Sequence, residues 1–354
     1  MPGVSSTRSA VPRAAAFTVG LLGLTALLFV LSLTLGSVAI PFAEVLAALV
    51  GRPTTDAAWA AIVRDFRLPR ALTALLAGAA LSASGLLMQT LFRNALAGPY
   101  VLGLSAGASL GVAVVVLAGS SVGFAGIVGL GGLGAWTLIG ASVAGSAVVL
   151  GLIGWVATRI EDSTTLLILG LMFSSLTGAV VSILQYLSDA DQIQAFLLWT
   201  FGSLGGVTWL QLAVLGPTLA VSLVGCLLLI KALNVLLLGE RYAASLGLHL
   251  TRTRLGVIGL TSVLAGGVTA FCGPIAFLGL AVPHLTRAVL NTSDHRAVLP
   301  ACFPAGSALL LTCDLLARLP GTALTLPINA VTALFGAPVV IWILLRQRNL
   351  GRAL

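Results

Sequence analysis

Ionisable side chains that could do chemistry are scarce in this chain, which has ten acidic residues and three histidines among 354. Asp314 is the clearest carboxylate within an apolar run, and proton-driven carriers commonly use such a group as a relay. Arg318 follows four residues later, which is the same face of a helix. Because an ion pair is the simplest use of two such residues, we expect Asp314 to hold Arg318 rather than to carry protons.

Other residue combinations that support catalysis or metal binding are also missing from the sequence. Lys231 is the only lysine and no glycine precedes it, so the phosphate-binding sequence G-x-x-x-x-G-K-[ST] is absent. Any ATP and Mg²⁺ that drive the protein must therefore bind to another subunit, and we expect no cofactor here. His284 and His295 lack neighbouring ligands at metal-binding spacing, so we expect neither to bind a metal, and His284 after Pro283 is expected to cap or pack. Without CxxC spacing, the cysteines are expected to be core residues: Cys226, Cys272, Cys302 and Cys313.

The elements that must position these residues are long apolar runs. Hydrophobic residues make up 58% of the chain and charged residues only 8%, whereas soluble proteins carry about 25% charged residues. Since about 20 apolar residues span a bilayer as a helix, we predict an all-α membrane protein with ten transmembrane helices. The segment 119–134 is too rich in glycine to assign. The predicted helices are 14–38, 69–91, 99–118, 135–158, 164–187, 208–233, 253–272, 274–291, 296–319 and 326–346.

Basic residues orient these helices and explain the net charge of +8 without invoking nucleic acid. With a cytoplasmic N-terminus, thirteen of the eighteen basic residues lie inside, in agreement with the positive-inside rule. Both termini are therefore predicted in the cytoplasm, as tails 1–13 and 347–354 around one membrane domain, 14–346. The first apolar run is too long for a signal peptide. The five basic residues predicted outside are Arg52, Arg64, Arg67, Arg70 and Arg318.

Two further patterns concern the organisation of the membrane domain. Leu75 to Gly85 (LLAGAALSASG) and Val263 to Gly273 (VLAGGVTAFCG) are similar, which predicts an inverted repeat or reflects the small residues common in packed membrane helices. The joint 238–254 is polar, and Glu240 to Leu246 is compatible with a short helix that stops at Gly247. Such a helix could dock a soluble partner or lie at the lipid headgroups as an ordinary amphipathic joint.

Ordered motifs cover about residues 36–348. In the first half they are R-L-P-R (67–70), G-L-L-M-Q (85–89) and N-A-L-A-G-P (94–99). In the second half they are L-G-E (238–240), G-P-I-A-F-L-G-L-A-V-P-H (273–284), D-H-R (294–296), D-L-L-A-R (314–318) and L-P-I (326–328). As an ordered set they resemble the FecCD-type permeases of bacterial importers for ferric siderophores, haem and cobalamin.

The resemblance implies ten helices per subunit and two permease subunits around a central pathway. It also implies two cytoplasmic ATPase subunits and a periplasmic or lipid-anchored substrate-binding protein. Docking of the binding protein would use Arg67, Arg70 and Arg318, which could otherwise anchor helix ends at the headgroups. Coupling to the ATPase would use Gly239, Glu240, Arg241, Ser245, Leu246 and Gly247. The cytoplasmic gate would comprise Asn94, Ala95, Leu96, Ser163 and Thr164, with Ala95 standing where the family usually has proline.

We therefore interpret the chain as a permease subunit of an ATP-driven importer in the bacterial inner membrane, paired with itself or a paralogue. The expected cargo is an iron chelate, with a ferric siderophore as the first choice and cobalamin or haem as the alternative. A self-contained secondary carrier would need intramembrane coupling residues that the sequence lacks. A membrane enzyme would need a nucleophile, base or metal cluster, and none is evident.

Overall fold

Helices joined by short turns form nearly the whole structure, a computed structural model that describes residues 10–100, 103–117, 132–157, 163–318 and 324–351. The unassigned segment 119–134 lies almost wholly outside this part of the chain. The helices are α1 (Ala10–Thr34), α2 (Phe42–Val50), α3 (Ala57–Ala61), α4 (Leu68–Leu91), α5 (Leu104–Leu117), α6 (Gly132–Ala157), α7 (Ser163–Tyr186), α8 (Ala190–Thr200), α9 (Trp209–Leu228), α10 (Ile230–Leu236), α11 (Glu240–Ser245), α12 (Leu250–Cys272), α13 (Leu278–Leu290), α14 (His295–Ala317) and α15 (Ile328–Gly351).

Ten apolar helical segments match the ten predicted from the sequence. Within the described ranges, seven are long and apolar enough to cross a membrane, and α5, α13 and the apolar part of α15 are shorter. The all-α membrane architecture is confirmed.

Several predicted helix ends are wrong. α1 stops at Thr34 rather than 38, α5 begins at Leu104 rather than 99, and α13 begins at Leu278 rather than 274. In the latter two cases a Gly-Pro pair precedes irregular backbone, because proline removes a donor and restricts its neighbour. The predicted helix 208–233 divides at Leu229, a turn residue between α9 and α10 whose N–H donates to the Cys226 carbonyl instead of continuing the α-helical pattern. Helices also extend into both predicted tails, since α1 begins at Ala10 and α15 continues to Gly351.

Three short elements near the ends of the membrane helices were not predicted: α2, α8 and the segment from α3 into α4. α2 and α8 have nine and eleven residues, too few to cross a bilayer. α3 continues through a π-helical stretch, Ile62–Arg67, directly into α4. Glu44 fixes α2 by accepting hydrogen bonds from the Thr55 hydroxyl and amide, and these bonds lower the pKa of the Glu44 carboxyl.

The longest close contact in the bundle joins α4 and α14, which run antiparallel. A Cβ added at Gly78 would lie 2.3 Å from the Gly306 carbonyl oxygen, so only glycine permits this approach. Two serine hydroxyls add bonds across the contact, from Ser82 to the Cys302 carbonyl and from Ser307 to the Leu75 carbonyl. These contacts fix the register of α4 relative to α14.

The two similar sequence segments lie in two long helices, at different distances from the helix ends. The first lies in α4 and the second in α12, up to the glycine that follows this helix. Each long helix is followed by irregular backbone and then a short helix, α5 or α13. The inverted repeat stays a prediction, because short helices after long ones are also compatible with ordinary packing of small residues.

Candidate functional site

The short helix predicted in the polar joint is present as α11, and Gly247 ends it as expected. Gly247 has a φ of +84°, its N–H donates to the Ala244 carbonyl, and the Leu248 N–H donates to the Ala243 carbonyl. This pattern is a Schellman motif, which satisfies the last carbonyls of a helix. Only Ala243 of α11 is buried. The helix therefore presents most of its surface outward.

Polar and apolar side chains share the outward surface of α11. Arg241, Ser245 and Leu246 are exposed, as is Tyr242, which the sequence analysis did not single out. Glu240 is half-buried and both of its carboxylate oxygens lie 2.6 Å from an Arg254 guanidinium nitrogen. This ion pair links α11 to the first turn of α12.

The loop after α4 lies beside the start of α11. Arg93 has a left-handed backbone, with a φ of 47°, and its guanidinium approaches Gly239. A Cβ added at Gly239 would lie 3.5 Å from a terminal nitrogen of Arg93. The predicted gate segment is therefore next to the predicted coupling segment, which the sequence did not indicate because 145 residues separate them.

Two side-chain contacts fix the predicted gate loop. The Asn94 carboxamide oxygen accepts from the Leu96 N–H at 2.8 Å, and His284 Nε2 donates to the Ala95 carbonyl at 2.9 Å. The loop is thus held by α13 although Ala95 replaces the family's usual proline. α7 begins at Ser163. The side chains of Ser163 and Thr164 lie outside the described residues.

His295 is held by hydrogen bonds to side chains of two other helices. Its Nδ1 donates to the Asn234 side-chain oxygen at 2.8 Å, and its Nε2 lies 2.8 Å from the Thr90 hydroxyl. Asn234 in turn donates to Asp294 at 2.7 Å. These bonds join α4, α10 and α14 at the end of the bundle that carries α11. In the part of the chain described, no group of three His, Cys, Asp or Glu side chains could hold a metal ion.

Arg67 and Arg318 lie at the opposite end of the bundle, where both cap the C-terminus of α1. Arg67 is 6% exposed and donates to the Leu33 and Thr34 carbonyls at 2.7 and 2.8 Å, and also to the Val38 carbonyl. Arg318 is 7% exposed and donates to the Ser32 carbonyl at 3.0 Å. The last carbonyls of a helix lack partners within it and carry partial negative charge. The two arginines supply both the donors and the opposite charge.

Asp314 holds Arg318 as predicted and binds a second arginine as well. Its carboxylate is fully buried, with one oxygen 2.5 Å from Arg318 and the other 2.8 Å from Arg70. The Arg70 side chain is 18% exposed, more than that of Arg318. Of the three arginines predicted to face a binding protein, Arg70 is therefore the most accessible in this structure.

A cavity of about 760 Å³ lies between the segment before α5, lined by Gly98 to Tyr100, and the irregular segment after α12. Its wall includes Pro99, Ser105 and Ser109 on one side and Phe277 and Leu280 on the other, with Ile168 of α7. The sequence analysis did not locate this cavity, because its walls come from four separate parts of the chain.

Comparisons with known proteins agree with this architecture. Residues 24–346 match the FecCD transport family. The chain is 39% identical over 287 residues to the vitamin B12 import system permease protein BtuC of Klebsiella pneumoniae, covering 81% of this chain and 83% of BtuC. It is 38% identical over 296 residues to the hemin transport system permease protein HmuU of Yersinia pestis, covering 84% and 86%.

A solved structure is also similar: a metal-chelate type ABC transporter in an inward-facing conformation. The TM-score is 0.77 and the identity 28%, over 94% of this chain and 99% of that one. The chain therefore belongs to the FecCD transport family and is a multi-pass membrane permease subunit of an ABC importer, not itself an ATPase.

Proposed function

We propose that this permease imports a metal-bearing tetrapyrrole, a cobalamin or a haem. The observation that carries the proposal is the pair of relatives named for these cargoes, each covering more than four fifths of the chain at 38–39% identity. They favour the alternative cargo of the sequence analysis over a ferric siderophore. The cavity is mostly apolar, as expected of a surface that contacts part of a macrocycle.

The proposed transport cycle assigns a role to each end of the bundle. ATP and Mg²⁺ would bind to two ATPase subunits that contact α11, with Arg241, Tyr242, Ser245 and Leu246 as the exposed contacts. Movement of α11 would reach the gate loop through Gly239 and Arg93, which lie side by side. A second permease subunit, identical or paralogous, would complete the pathway. In this arrangement α11 and both chain termini lie on the cytoplasmic side of the inner membrane.

The opposite end of the bundle would receive the substrate-binding protein. Arg70 is the best candidate for contact with an acidic partner, because its side chain is more exposed than those of Arg67 and Arg318. Charge pairs at such a surface would set the orientation and rate of docking more than the affinity.

Uptake measurements test the cargo directly. The permease would be reconstituted in proteoliposomes with its ATPase and with the binding protein encoded beside it. ATP-dependent accumulation would then be compared for cyanocobalamin, haemin and a ferric hydroxamate siderophore. We expect uptake of one tetrapyrrole. Uptake of the ferric hydroxamate alone would overturn the proposed cargo and restore the siderophore interpretation.

A further inference from the structure

The 760 Å³ cavity lies where two interrupted stretches of backbone meet inside the membrane domain. Its wall includes Gly98 to Tyr100 from the segment before α5 and Pro274 to Phe277 from the segment before α13. Leu81, near the middle of α4, also lines it. Irregular backbone at membrane depth is tolerated where it is buried in protein or lines a water-filled space. In transporters built from repeats, such paired interruptions indicate the substrate site.

Two helices begin at this cavity. Ser105 and Ala106 belong to the first turn of α5, and Gly279 and Leu280 belong to the first turn of α13, and all four line the wall. The N-terminus of a helix carries a partial positive charge of about half a unit. Among the described residues, no Asp, Glu, Lys, Arg or His lines the cavity, so no side-chain charge opposes these two helix ends.

A serine at the same place has a hydroxyl that makes no hydrogen bond within the described residues. Ser105 is 7% exposed, and in the described parts of the chain its Oγ makes no hydrogen bond. Ser174 on another part of the wall differs, since it donates to the Gly170 carbonyl at 2.8 Å. The Ser105 Oγ is not among the fully buried side-chain atoms that lack a partner, so it retains access to the cavity that Ser105 lines. The Ser105 hydroxyl is therefore free to donate to a molecule inside the cavity.

We infer that this cavity is a binding site for an anionic oxygen group of the cargo, a carboxylate or a phosphodiester, held by Ser105 and the N-termini of α5 and α13. The inference rests on the proposed function, because it specifies the chemistry of the cargo that the same pathway would accept. The apolar remainder of the wall would contact the macrocycle, and the weakly charged site would release it again. A carrier needs such moderate affinity for its cargo.

The inference can be tested by measuring the sign of the electrostatic potential in the cavity, which requires no transport assay. Ser105→Cys would be made in a variant whose four native cysteines are replaced by alanine. Its rates of modification by an anionic sulfonatoethyl methanethiosulfonate and a cationic trimethylammonioethyl methanethiosulfonate would be measured in nanodiscs. Ser245→Cys on the exposed surface of α11 is the control. Taking the anionic-to-cationic ratio cancels any change in thiol reactivity.

We expect the ratio at Ser105→Cys to exceed that at Ser245→Cys by about tenfold or more, given two partial charges in a poorly screened site. Ser109→Cys, one turn further along α5, should show a smaller increase and gives the same information if the first variant does not fold. Equal ratios, or no reaction with either reagent at both positions, would overturn the inference. Neither result bears on the uptake of cobalamin or haem, because no ATPase, binding protein or cargo is present.

Discussion

Asp314 is the residue on which the charge balance at one end of the bundle depends. It is fully buried between Arg70 and Arg318, and Arg318 in turn meets the end of α1 together with Arg67. A carboxylate buried between two guanidinium groups needs both partners to offset its lost hydration. The three arginines are therefore structural residues in this state, whatever further contact they make with a binding protein.

Removing the Asp314 carboxylate should destabilise the protein strongly. In Asp314→Ala the buried Arg318 guanidinium loses its counter-ion, and breaking a buried pair from one side costs about 3–5 kcal/mol. Thermal unfolding in detergent would be monitored by size-exclusion chromatography, and the midpoint would be compared with that of the unmodified protein.

Arg70→Gln is the matched control for Asp314→Ala, because it removes the more exposed partner and leaves the Asp314–Arg318 pair intact. Its unfolding midpoint should fall clearly less. An unchanged midpoint in Asp314→Ala would mean that the buried pair contributes nothing to folding.

At the scale of elements, the sequence predicted what depends on local pattern. The long apolar runs, the short helix α11 and its stop at Gly247 follow from periodicity and from the conformational freedom of glycine. The burial of Arg67 could not be predicted from local pattern, because the carbonyls that Arg67 binds are about 30 residues away at the end of α1. The proximity of Arg93 and Gly239 could not be predicted either, because the two residues are far apart in the sequence.

The ion pair between Glu240 and Arg254 allows two roles of α11 to be separated. Glu240→Arg should impair ATP-dependent uptake in proteoliposomes, because it places two cations where a 2.6 Å ion pair now holds α11 to α12. If Glu240 serves only this internal pair, the double variant Glu240→Arg with Arg254→Glu should restore most of the uptake.

Failure of the exchanged pair to restore uptake, in a protein with normal thermal stability, would assign Glu240 a direct contact with the ATPase. Binding of the ATPase subunit to each variant would be measured alongside. Loss of binding in the double variant supports that contact, and normal binding with normal uptake supports the internal role.

The antiparallel contact of α4 and α14 should tolerate no side chain at Gly78. Its Cβ would lie 2.3 Å from a backbone carbonyl oxygen of α14, so Gly78→Val must separate the helices. We expect loss of folded protein after membrane extraction. Gly20→Ala is the control, since nothing lies within 4 Å of a Cβ added there and alanine favours helix. Normal yield of Gly78→Val would show that the two helices have room to move apart.

At the scale of the whole molecule, α4 connects the two ends at which partners are proposed to bind. Arg70 pairs with Asp314 at one end, and Thr90 contacts His295 at the other. Twenty residues of helix at 1.5 Å per residue separate them by about 30 Å, the thickness of the hydrocarbon core. The buried charges and the buried histidine therefore lie near opposite membrane surfaces.

This separation gives a prediction for topology. Arg52 follows α2 at the end of the bundle that carries Arg64 and Arg67, whereas Ser245 lies on α11 at the other end. In a background without native cysteines, Arg52→Cys should react with a membrane-impermeant maleimide only from the periplasm. Ser245→Cys should react only after the reagent reaches the cytoplasm. Labelling of both from one side would contradict a span between them, and the reverse pattern would place α11 where no ATPase could reach it.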